Sequence, residues 1–68
     1  MKVLYFPDTD TALIQLSNGE VHETKEINEN LYIDLDKDGN VVSITVEHAK
    51  RLASITEISF LQMEEKPA

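Results

Sequence analysis

Between Leu31 and Val46 the chain reads LYIDLDKDGNVVSITV, and apolar and polar residues alternate on both sides of an Asp38-Gly39 pair, a pattern that leaves few folds open. With Asp38-Gly39 as a two-residue turn, Lys37 faces Asn40, and Leu35, Ile33 and Leu31 face Val42, Ile44 and Val46 in turn. One face of this hairpin is wholly aliphatic. The other sets Tyr32, Asp34 and Asp36 against Val41, Ser43 and Thr45. A slip of one residue would carry the carboxylates into the core, so the register is strongly specified.

The flanking segments extend the same sheet. Val3-Leu4-Tyr5-Phe6 is β-prone, and Pro7-Asp8-Thr9-Asp10 ends it with a fixed φ and aspartates that bond to nearby amides. Ala12 to Leu16 forms a second strand, and the Asn18-Gly19 pair within Ser17-Asn18-Gly19-Glu20 predicts a tight hairpin returning through Val21 to Lys25. That register sets Leu16 opposite Val21, Gln15 opposite His22 and Leu13 opposite Thr24, and makes the return arm a one-sided edge. Glu26 to Asn30 is a polar connection with Ile27 turned inward. After Val46 the apolar spacing changes to that of a helix, through Ala49, Leu52 and Ala53, with Glu47 in the first turn and Lys50 and Arg51 later. About two turns of helix do not hold alone, so this one is expected on the aliphatic sheet face. Ser54-Ile55-Thr56-Glu57 spells a capping box, whereas Glu57 to Met63 is rich in strand formers and reads as a last strand, paired within the chain or with a second one. The expectation is an α+β domain over residues 1–63, an antiparallel β-meander of four to six short strands with one short helix packed on one face, and a frayed tail at 64–68.

At 68 residues the core is thin, and the chain has no cysteine, so neither disulfides nor thiolate metal sites are available to it. Association with another chain is the remaining way to add burial, and a homo-oligomer is expected. The formal net charge of −7 repels phosphate, which argues against direct nucleic-acid binding. The charge keeps a sheet protein soluble, or it complements a basic protein partner. No apolar run approaches a membrane span or a signal peptide, so the expected location is cytoplasmic.

Asp34-Leu35-Asp36-Lys37-Asp38-Gly39 opens like a calcium loop, yet its twelfth position is Thr45 and both flanks alternate as strands. Asp34, Asp36 and Asp38 are therefore weak candidates for a divalent cation, and no cofactor is expected. His22 and His48 lie on separate elements, without the spacing of a zinc pair. No nucleophile elbow or phosphate-cradling loop occurs. An enzyme reading survives only on the polar hairpin face: if a partner chain covered Tyr32, Asp34, Ser43 and Thr45, Asp34 would become a candidate general base, with Asp36 beside it in a small hydrolytic or metal-dependent site. The alternative is a solvated or interface-lining face on a protein with no catalytic residues. Its contacts would come from the acidic arm, Glu20, Glu23, Glu26 and Glu29, and from Ile58 and Phe60 of the last segment.

Tyr5, the run from Pro7 to Leu16, Glu26, the hairpin from Ile33 to Ile44, and Ala49 together resemble a small prokaryotic family, domain of unknown function 2283. The resemblance covers roughly Tyr5 to Ala49 and implies a short β-meander plus helix. Where the family usually carries Gly-Ile-Glu-Ile and Asp-Ala-Ser, this chain has Ser43-Ile44-Thr45-Val46 and His48-Ala49-Lys50. The family has no established activity, and the occurrence of some members beside small toxin-like proteins implies an antitoxin-like or partner-binding role.

Overall fold

A computed structural model describes residues 1–53 and 57–63. The elements are β1 (Lys2–Phe6), β2 (Thr11–Gln15), β3 (Glu23–Asn28), β4 (Leu31–Leu35), β5 (Val41–Glu47) and the helix α1 (Ala49–Leu52). The five strands form one antiparallel sheet in the order β1-β2-β5-β4-β3.

β5 occupies the centre because it is the longest strand and β-branched in five of its seven residues, VVSITVE. It joins two hairpins. On one side Ile44 pairs with Ile33 and Val46 with Leu31; on the other Ile44 pairs with Ile14 and Val46 with Ala12. Three isoleucines thus lie in a row across β2, β5 and β4. Extended to β1 by Val3 and Tyr5, this aliphatic face follows the period-2 alternation of every strand.

The expected β2–β3 hairpin is not formed. β2 pairs with β1 and β5, and β3 lies at the far edge against β4. Instead of turning back on itself, the chain crosses the turn end of the β4–β5 hairpin. The Leu16 and Ser17 N–H groups donate to the Val42 carbonyl at 2.8 and 3.2 Å, and the His22 N–H donates to the Leu35 carbonyl at 2.8 Å. The reason is burial: Ile14 and Ala12 meet aliphatic partners on β5, whereas β3, ETKEIN, offers almost none and stays exposed along its length. Gly19 serves close approach, not positive φ, since a Cβ there would lie 3.3 Å from Val42 Cγ2.

The β4–β5 turn also differs by one residue. The Asp36 N–H donates to the Asn40 carbonyl at 2.9 Å, enclosing Lys37-Asp38-Gly39, and Gly39 takes φ 84°. Leu35 therefore pairs with Val41, and an extra residue on β5 restores Asp34 opposite Ser43. A Cβ at Gly39 would meet nothing within 4 Å, so the constraint is purely conformational. Gly39→Ala is expected to cost about 1–2 kcal/mol, the penalty of a left-handed L-residue, while Gly39→Asn recovers most of it. Urea midpoints of the two variants check this, and equal midpoints would contradict it.

Two further expectations are corrected. Ile27 does not plug the core; it is 54% exposed where β3 shifts register between Glu26 and Asn28. The helix is a single turn, because Glu47 remains in β5 opposite Thr11 and His48 takes φ 57° before Ala49. The turn is tied to the β1–β2 loop by the Ala49 N–H, which donates to the Asp10 carbonyl at 2.9 Å. Ala49 is fully buried but Leu52 is 51% exposed, so the helix does not blanket the sheet. Glu57 to Met63 has no strand or helix assignment and is exposed throughout. The capping-box residues 54–56 and the tail 64–68 lie outside the described residues. Among the described residues, no helix is long and apolar enough to cross a membrane.

The result is a sheet one layer thick. Among the described residues the buried ones are Ala12, Val42, Ser43 and Ala49, and no large side chain is fully buried.

Candidate functional site

The side of the sheet opposite the isoleucine row is polar and acidic over β3, β4 and β5, whereas its β1–β2 part carries Leu4, Phe6 and Leu13. Strand alternation puts Tyr32 and Asp34 of β4 on it together with Ser43, Thr45 and Glu47 of β5 and Thr24 and Glu26 of β3. Tyr32 has Glu26 as its cross-strand partner on one side and Thr45 on the other. The Tyr32 hydroxyl makes a long contact, 3.5 Å, to the Glu29 carbonyl. Its pKa is raised, first by desolvation and then by the negative charges of Glu47, Glu26 and Glu29. Tyr32 therefore lies on a surface of negative potential, where charge and ring face both attract Lys or Arg.

The carboxylates singled out by the calcium-like spelling do not converge. Asp34 accepts from Thr24 Oγ1 and from Ser43 Oγ, both at 2.6 Å, which locks a polar row across three strands. Asp36 is spent on its own turn: Oδ1 accepts the Asp38 and Asn40 N–H groups at 2.9 Å each, and these bonds lower its pKa, that from Asn40 most. Asp38 is exposed at the hairpin tip. Among the described residues, no three His, Asp or Glu side chains are placed to share a metal ion. Glu20 and His22 flank an open cleft of about 350 Å³ whose other wall is the Asp36–Asp38 turn. Glu23 and Glu26 stand on the β3 edge and Glu29 in the β3–β4 turn, all exposed, whereas Ile58 and Phe60 are 63% and 82% exposed on the last segment.

Sequence reasoning missed two groups. The helical spacing after Val46 places Glu47 in the helix, and its strand position on the acidic face follows only from β5 continuing past Val46. Asp10 was assigned a turn role alone. It takes φ 54° and accepts the Tyr5 hydroxyl at 2.6 Å and the Lys50 N–H at 3.1 Å on one oxygen, so it fastens β1 to the helix start. The Lys50 ammonium sits 5.9 Å from the centroid of the Tyr5 ring. The signal for Asp10 was its place at the end of a loop between two strands, where Asp tolerates positive φ.

This cluster titrates at both ends of the pH scale. The Tyr5 hydrogen bond, chiefly, holds Asp10 below the ordinary carboxylate value and pushes Tyr5 up to about 12. Asp10 and Asp36, with lowered folded pKa values, contribute stability that is complete above the unfolded carboxylate value of about 4 and is lost as pH falls through the folded values. Tyr5, with a raised value, contributes stability that is complete below pH 10 and is lost as pH rises towards about 12. The melting temperature is expected to fall in both windows. In Tyr5→Phe the alkaline fall flattens and the acid fall weakens; an unchanged profile contradicts the link.

Fold and site together define a small α+β protein: one antiparallel five-stranded sheet, aliphatic on one side and acidic over the β3–β4–β5 part of the other, with a one-turn helix. The family model described as Protein of unknown function (DUF2283) matches residues 2–50, and the chain belongs to that family. No curated protein and no solved structure matches it.

Proposed function

We propose that the protein is a non-enzymatic, homo-oligomeric interaction module whose acidic face receives a basic protein partner, in the manner of an antitoxin. The observation that carries this reading is Tyr32 encircled by Glu26, Glu29 and Glu47, whose charges all act on its hydroxyl. The net charge of −7 steers a cationic partner towards this face. Among the described residues no metal set accompanies these carboxylates, and Asp34 and Asp36 are each held by local donors.

The test is a pull-down from the native host with tagged wild type and a Glu26→Lys/Glu29→Lys variant side by side. A small basic protein is expected with the wild type, weakened by added salt and lost with the variant. Recovery of no basic protein, or equal recovery by both forms, would overturn the reading.

A further inference from the structure

Two aliphatic-face positions lie beside covers at its ends: Gly19 passes over Val42, and Ala49, tied to Asp10, is buried beyond the β1–β2 loop that leads into Ala12. Between those ends Ile14, Ile33 and Ile44 form a row, bordered by Val46 and Leu31, and all five side chains are only half-buried. Sheets with one such face bury it against another layer. The described residues supply none: the helix is one turn long, and Ile58, Phe60, Leu61 and Met63 stand 63–82% exposed on the last segment.

The charge pattern says what kind of surface fits. Strand alternation puts Glu23 and Lys25 of β3 on this side, and they cancel, so the aliphatic face takes almost no share of the −7. A basic protein gains nothing there. A like copy approaches without confronting the two acidic faces, which point away from each other. The dimensions suffice for a reversible pair. Five strands about 4.8 Å apart and roughly 20 Å long give a face of roughly 500 Å² per copy, or about 1,000 Å² for two, the lower limit of specific interfaces.

We infer that a second copy of this chain covers the aliphatic face, the two sheets packing face to face about a twofold axis with their isoleucine rows in contact. The acidic faces then form the two outer surfaces, and the dimer presents two identical sites to basic partners. This locates the self-association of the interaction-module reading but stands apart from the acidic site: a monomer that still captured a basic protein would sink the dimer alone.

The chain has no cysteine, so a single introduced thiol is unique. Ile44→Cys on the aliphatic face and Thr45→Cys on the acidic face are neighbours in the central strand. With a bis-maleimide of about 10 Å, the spacing of packed sheets, Ile44→Cys is expected to cross-link to a dimer about tenfold faster than Thr45→Cys. Phe60→Glu, placed in the Ile44→Cys background, should leave that rate unchanged. Equal rates, faster linking through Thr45→Cys, or loss of linking on Phe60→Glu would each overturn the inference, the last by naming the end segment as the cover. Circular dichroism of each variant confirms that the sheet is intact before the rates are compared.

Discussion

Ile44→Ala is expected to cost about 2–4 kcal/mol, measured by urea unfolding at a chain concentration where the dimer predominates. Ile44 lies in the central strand, flanked by Ile33 on one side and Ile14 on the other, so its truncation removes contacts from three strands at once. In an uncovered sheet the side chain is only half out of water, and the loss would be roughly half as large. The size of the effect therefore reports whether a second layer is present. For a domain of this length the expected loss lowers the melting temperature by roughly 10–25 °C. Thr45→Ala, one residue on and facing the other way, is expected to cost less than about 1 kcal/mol. A cost below about 1 kcal/mol for Ile44→Ala would mean that the isoleucine row carries little of the stability.

Ala12→Leu is the second large effect, in the opposite direction of volume. Ala12 is 1% exposed and pairs with Tyr5 on one side and Val46 on the other, at the end of the aliphatic face where Asp10 ties down Ala49. Three added carbons have no space to enter. They would displace either Tyr5, whose hydroxyl holds Asp10, or the Ala49 turn itself. Overpacking of this kind costs about 1–3 kcal/mol. The expected signature is a lower urea midpoint together with loss of the pH dependence assigned to the Tyr5–Asp10 pair, because the same displacement breaks that hydrogen bond. A midpoint equal to wild type would show that the end of the sheet is open and not packed.

The hairpin from Leu31 to Val46 was legible because its alternation has one register that hides the aliphatic residues, and Leu31–Val46 and Ile33–Ile44 pair as that register requires. Its tip was less legible. A two-residue and a three-residue turn both accept Asp38-Gly39, and the extra residue in β5 absorbs the difference. The neighbour of β2 could not be read locally at all. Asn18-Gly19 favours a tight return, but pairing with β5 buries Ala12 and Ile14 against Val46 and Ile44, a gain that appears only when residues thirty apart are considered together. The apolar spacing after Val46 was a true helical signal, although His48 in the left-handed region and the tether to Asp10 confine it to one turn. At the site, the acidic arm was visible as charge, and Glu23, Glu26 and Glu29 are exposed as expected. The convergence of Glu26, Glu29 and Glu47 on Tyr32 was not, since it depends on strands that the sequence separates.

The aliphatic side of a single-layer sheet as a surface finished by a second copy is tested most directly by sedimentation equilibrium of the unmodified chain between about 2 and 200 µM, the range in which an interface of this size exchanges. A mass rising with concentration from 7.7 kDa to twice that value is expected. A constant 7.7 kDa across the whole range would contradict it.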